Sequence, residues 1–189
     1  DSLEQFEDLA NTKSKLNQYK GIDFADVKKL LKIFWLRNKG TYDKNTLTEY
    51  KLPVDIDGLK FYGIADRVDR KNDGDIIIDY KTQKDPLDPK ERSWQLGYYA
   101  IAAKKLGLNP KKVILEMLRQ EKPVIMDIDG NNVSAGRLKG FGLKEVEKEL
   151  IETAKKIIND YETEFKPVED DGPCRFCRYK FYCPKWGTK

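Results

Sequence analysis

GIADRVDRKNDGDIIIDYKT, Gly63 to Thr82, is the stretch whose reading decides the fold. Gly63 to Asp69 and Asp75 to Lys81 carry β-branched residues, and Asn72, Asp73 and Gly74 supply turn chemistry between them, so the stretch reads as a hairpin. A turn centred between Asn72 and Asp73 places Asp66 directly across from Asp79, with their Cβ atoms about 5 Å apart. Two facing carboxylates repel, and a hard divalent cation such as Mg²⁺ or Mn²⁺ between them removes the repulsion. Lys81, two residues beyond Asp79, projects from the same strand face. If instead Asp73-Gly74 forms the two-residue loop, Asp66 faces Lys81 and the trio is a simple cross-strand ion pair.

Two further features favour the metal reading. IIIDYK puts an acid and a lysine at the end of a strand that is otherwise apolar enough to be buried, where an unpaired charge is costly. Trp94 then opens WQLGYYA, in which Gln95 and Tyr99 share one helical face at i and i+4. The combination of GIADRVD, IIIDYKT and QLGYY resembles the RecB-like branch of the PD-(D/E)XK nuclease superfamily. The resemblance implies a restriction-endonuclease-like α/β core with a mixed central β-sheet flanked by helices. It also implies a Mg²⁺- or Mn²⁺-dependent exonuclease acting on single-stranded DNA or DNA ends. In such a nuclease Asp66, Asp79 and the Tyr80 carbonyl hold metal, Lys81 serves the water or the phosphate, and Gln95 and Tyr99 hold substrate or Lys81. Glu49 resembles the glutamate that often precedes the GxxDRxD segment; read without that analogy it is a solvated strand glutamate.

The 189 residues suit one domain with a sizeable core and a small appendage. Charged residues make up 36% of the chain, yet the net charge is only +4, so global charge does not announce a nucleic-acid partner. Histidine is absent, which excludes histidine catalysis and histidine metal ligands within these residues. No apolar run approaches the roughly 18 residues needed to cross a bilayer, and the chain reads as a cytoplasmic protein with no membrane partner.

In chain order, Leu3 to Leu16 reads as an amphipathic helix and Gly21 to Gly40 as a second one. Asp23 is its N-cap, and Val27, Leu30, Leu31, Phe34 and Trp35 form its apolar stripe, a core stripe rather than a base-stacking platform. Thr46 to Ile56 reads as one strand, followed by an Asp57-Gly58 turn and a second strand from Leu59 to Asp69. After the central hairpin come a loop at Lys84 to Pro89 and a helix over Glu91 to Leu106. Strands follow at Lys112 to Leu118 and Val124 to Ile128, then a helix from Leu143 to Tyr161 with Val146, Leu150, Ile151, Ala154, Ile157 and Ile158 as its apolar positions. The expected division is an N-terminal helical segment over 1–45, a nuclease core over 46–165 and a cysteine-rich tail over 166–189.

PCRFCRYKFYCP gathers Cys174, Cys177 and Cys183 into ten residues, a metal-ligand spacing rather than a disulfide framework. The iron-sulfur members of the resembled branch, the AddB C-terminal domain and the CRISPR-associated exonucleases, carry three such cysteines and a fourth far upstream. The resemblance therefore implies a structural [4Fe-4S] cluster whose fourth ligand is not in this sequence, and a helicase or CRISPR adaptation proteins as partners. Neither the upstream cysteine nor the histidine usual before the GxxDRxD segment is present, and a start at Asp1 rather than Met is read as trimmed or missing. The alternative reading is a catalytically weak or inactive DNA-binding subunit of the same fold. A zinc-ribbon-like module built on the tail has only three ligands and leaves the hairpin unexplained.

Overall fold

The computed structural model describes residues 4, 5, 8, 12, 23–84, 89–130, 132–134, 142–162, 167, 174, 177–183 and 185. Most of the helix expected at Leu3 to Leu16 and most of the loop expected at Lys84 to Pro89 lie outside them. The chain divides into two compact units, Asp1–Glu149 and Leu150–Lys189.

The first unit is built on a six-stranded mixed sheet in the order β1-β4-β5-β6-β7-β8. Its strands are β1 (Thr46–Lys51), β4 (Ile64–Asp69), β5 (Asp75–Lys81), β6 (Pro110–Met117), β7 (Val124–Asp129) and β8 (Asn132–Ser134). Only β5 and β6 pair in parallel. They are joined through helix α2 (Pro89–Lys105), which packs on β6, as a parallel crossover demands. Helix α1 (Phe24–Asn38) precedes the sheet, and α3 (Leu143–Glu162) follows it.

The central hairpin adopts the Asn72-Asp73-centred register. Arg67 pairs with Ile78, Val68 with Ile77 and Asp69 with Ile76. Alternation then sorts β5 between two faces: Ile77 and Asp79 are buried on the α2 face, whereas Tyr80 meets Phe34 of α1 edge to face at 5.0 Å on the other. Gly74, at φ 138°, closes the turn where a side chain has no room, since a Cβ there would lie 2.1 Å from Lys111 Cγ.

The expected strands Thr46 to Ile56 and Leu59 to Asp69 are each broken in two. Pro53 has no N–H to give to a ladder, and the chain leaves the sheet there to form a separate hairpin of β2 (Val54–Ile56) and β3 (Leu59–Phe61). Asp57 and Gly58 both take positive φ, 55° and 74°, which is the backbone a two-residue hairpin turn requires. The excursion rejoins the sheet where the Leu52 amide donates to the Gly63 carbonyl at 2.8 Å. Strand β8 was not expected, being only three residues long. In α3, Leu143 and Val146 are buried, but Ile157 and Ile158 are exposed, so the apolar stripe read from the sequence does not bury its C-terminal half.

Helix α1 is locked by charges rather than by a deep apolar face. Asp23 caps it as expected, accepting from the Ala25 and Asp26 amides at 3.0 and 3.2 Å. Arg37 donates to Glu116 at 2.6 Å and to the Gln120 carbonyl at 2.6 Å, and Arg119 forks onto the Asp26 carboxylate. At the helix end, buried Asn38 accepts from Tyr80 Oη at 2.7 Å and from Arg67 at 3.0 Å. Arg67 is itself 2% exposed and grips Asp69 through two bonds of 2.8 and 2.7 Å. Removing one member of a buried pair strands the other charge, at a cost of about 3–5 kcal/mol. Arg67→Ala is therefore expected to lower stability by that order in urea unfolding, and Arg37→Ala, at a half-buried pair, by much less.

Candidate active site

The site forms at the end of the β4–β5 hairpin remote from its turn. One ladder step beyond Arg67↔Ile78, Asp66 stands across from Asp79, and on its other side Asp66 lies opposite Glu49, between the pairs Thr48↔Arg67 and Tyr50↔Ala65. Three acids thus occupy one row across three neighbouring strands. Regular pairing fails along that row. Glu49 takes φ 51°, a left-handed backbone that is costly for a residue with a Cβ. The Tyr80 amide, instead of joining a backbone ladder to β4, donates to Asp66 Oδ2 at 2.6 Å.

Asp79 is 5% exposed and its two oxygens are held differently. Oδ1 accepts from Tyr99 Oη at 2.7 Å and from Gln95 Nε2 at 3.3 Å, and Gln95 also donates to Tyr99 Oη at 3.1 Å. Oδ2 lies 2.6 Å from Lys81 Nζ in a close ion pair and has no other hydrogen-bond partner among the described residues. Burial, then the neighbouring Asp79 carboxylate, push the Tyr99 hydroxyl well above the usual phenol range, so it stays protonated and able to donate.

Asp66 is half-buried. Desolvation raises its pKa most; the Tyr80 N–H opposes this, the Asp79 and Glu49 charges add to the rise, and Lys81 opposes it. Glu49 itself is exposed. Of the expected site residues, the structure brings Asp66, Asp79, Lys81, Gln95 and Tyr99 together, with Glu49 within electrostatic reach of Asp66. Tyr80 enters through its amide, while its side chain points to the α1 face.

Glycines fix the approach of the flanking helices. A Cβ on Gly63 would lie 2.5 Å from the ring of Tyr98, whose hydroxyl donates to the Leu52 carbonyl at 2.6 Å. A Cβ on Gly97 would lie 2.6 Å from Val146. Tyr98 is the less buried of the two adjacent tyrosines. Asn38 and Tyr98 are the supporting residues that sequence reasoning missed. Arg67 and Asp69 carried a signal, as the charged remainder of the ADRVD stretch on a buried strand.

The chain's sequence matches the profile of the PD-(D/E)XK nuclease superfamily over residues 4–184. The chain belongs to that superfamily. Its members are metal-dependent nucleases, and the class of substrate is DNA. No curated protein sequence matches the chain. A solved structure titled "Crystal structure of SSO0001" is similar at 16% identity with a TM-score of 0.46, covering 97% of this chain and 78% of that one.

The residues present fit a hard divalent cation. Asp79 Oδ2 is a buried anionic oxygen whose partner is the Lys81 ammonium, and Asp66 beside it is destabilised as an anion. Magnesium commonly takes only one or two carboxylates and keeps waters for the rest. Among the described residues no group of three His, Cys, Asp or Glu side chains is arranged to hold a metal. In the second unit, none of Cys174, Cys177 and Cys183 is in a disulfide; Cys174 is buried, and the Cys177 amide donates to its carbonyl at 3.4 Å. None of the described helices is long and apolar enough to cross a membrane.

A carboxyl whose folded pKa is raised stabilises the fold in its protonated form, so its contribution falls as pH rises from the unfolded value through the folded one. Asp66→Asn in EDTA is therefore expected to raise the thermal midpoint at pH 7 to 8. The gain should vanish as the pH falls below about 4, the unfolded carboxylate value; scanning calorimetry across that range checks it.

Proposed function

We propose that this chain is a metal-dependent DNA exonuclease of the RecB-like type, hydrolysing phosphodiester bonds in single strands or at DNA ends. The observation that carries the proposal is the convergence of Asp66, Asp79 and Lys81 where the β4–β5 ladder gives way, with Lys81 Nζ 2.6 Å from the buried Asp79 Oδ2. Asp66 and Asp79 would hold Mg²⁺ or Mn²⁺, with the Tyr80 carbonyl and Glu49 as further candidate ligands. A bound cation would supply Lewis-acid polarisation of the phosphate and a lowered pKa for water.

The chain's own side chains account for the rest. Gln95 and Tyr99 fix Asp79 Oδ1, so the rotation of that carboxylate is set before substrate arrives. Lys81, beside Oδ2, places a positive charge where negative charge grows on the phosphate. Cys174, Cys177 and Cys183 are proposed as three ligands of a structural [4Fe-4S] cluster, supported by their spacing and by their not being in disulfides. A helicase or CRISPR adaptation proteins in the cytoplasm are the proposed partners, by analogy with the resembled branch.

A second reading has an observation of its own. Lys81 already neutralises Asp79, which suits a DNA-binding subunit of the same fold without activity. The two are separated by incubating the protein, purified without oxygen, with end-labelled single- and double-stranded DNA and Mn²⁺ or Mg²⁺. Cleavage that is lost with Asp79→Ala and lowered about 10²- to 10³-fold with Lys81→Met is the expected result. Binding without cleavage, the same in wild type and Asp79→Ala, would leave the non-catalytic subunit.

A further inference from the structure

The second unit exposes aromatic side chains that its own fold does not use. Tyr179, Phe181 and Tyr182 are 75%, 87% and 87% exposed, within four consecutive residues. The Tyr182 amide donates to the Tyr179 carbonyl at 2.9 Å, and Lys180–Tyr182 form a 3₁₀ turn. At three residues per turn, positions i and i+3 eclipse, so Tyr179 and Tyr182 share one edge and Phe181 sits a third of a turn away. Arg178 immediately before them is exposed. From Cys174 to the last residue the chain carries Arg175, Arg178, Lys180, Lys185 and Lys189 and no acid.

We infer that this turn of the second unit is a stacking platform for single-stranded DNA. Aromatic faces interleaved with cations are what a single strand requires: bases stack on the rings and phosphates meet the basic side chains. A protein partner is disfavoured by the lysines that the sequence sets among these aromatics, Lys180 and Lys185, because protein interfaces are depleted of lysine. Duplex DNA is disfavoured because its bases already stack on each other and offer no free face. The inference takes from the proposed function only that the ligand is DNA, and it does not depend on catalysis.

The test is fluorescence anisotropy of labelled oligothymidylate and of a labelled blunt duplex, in EDTA so that no cleavage occurs. It uses the whole chain as wild type and as the variant Tyr179→Ala/Phe181→Ala/Tyr182→Ala. Loss of stacking is expected to weaken oligothymidylate binding about tenfold or more while leaving the duplex and the thermal midpoint unchanged. Phe181→Trp gives a reading without truncation: its added emission should be quenched by oligothymidylate and not by duplex. Equal oligothymidylate affinity in wild type and triple variant with no Phe181→Trp quench, or equal loss on both DNAs, would overturn the platform. Because EDTA removes catalysis from the measurement, a failed cleavage assay and a failed platform are read independently.

Discussion

The buried Arg67 guanidinium is the constraint on which the first unit depends. It cannot lose its proton at any ordinary pH, so every donor must find an acceptor inside the protein. The acceptors come from separate parts of the chain: Asp69 on its own strand, Asn38 at the end of α1, and Thr41 beyond it through both hydroxyl and carbonyl. Tyr42 covers the guanidinium with its ring at 4.0 Å, and Asp69 in turn takes the Thr46 hydroxyl of β1. Satisfying one charge therefore fixes α1, β1 and β4 together. Tyr80 joins the same network through Asn38, so the residue between Asp79 and Lys81 is anchored from the far side of the sheet.

The opposite face is as strained electrostatically as the Arg67 face is satisfied. Asp66, Asp79 and Glu49 repel along one row, at which no ladder pair forms between β1, β4 and β5, while Asp79 keeps its parallel pairing with Leu115 of β6. Lys81, Tyr99, Gln95 and the Tyr80 amide offset part of that repulsion. A divalent cation is the species that would relieve what remains, because it offers concentrated positive charge to crowded carboxylate oxygens. The site holds one carboxylate angle through Tyr99 and Gln95 and crowds its acids together where a ligand would bind, a division of roles that a uniformly paired hairpin does not have.

Much of this was legible locally. Both hairpin registers that the sequence left open put Asp66 on the face of Asp79 and Lys81, and the structure takes the Asn72-Asp73-centred one, which sets Asp66 opposite Asp79. The two-residue period puts Lys81 beside Asp79, and the i, i+4 spacing puts Gln95 beside Tyr99. The Asp23 cap and the order of elements follow from similarly short-range chemistry. What failed to read was longer in range or weaker in pattern. Pro53 breaks a run that β-propensity alone extends from Thr46 to Ile56. The exposed Ile157 and Ile158 follow the same helical period as the buried Val146, and periodicity does not report what covers a face.

The sequence by itself determined the site's composition and its place on one strand face, because hairpin register and side-chain alternation are properties of neighbouring residues. Only the tertiary structure decided that Glu49 takes a left-handed backbone beside Asp66 and that Asn38 and Phe34 hold Tyr80. It alone decided that the two Asp79 oxygens are divided between Tyr99 with Gln95 and Lys81, and that Gly63 makes room for Tyr98. Each of those depends on groups far apart in the chain meeting in a low-dielectric interior, where a missing partner or a single extra methyl is costly, and no local pattern encodes such a meeting.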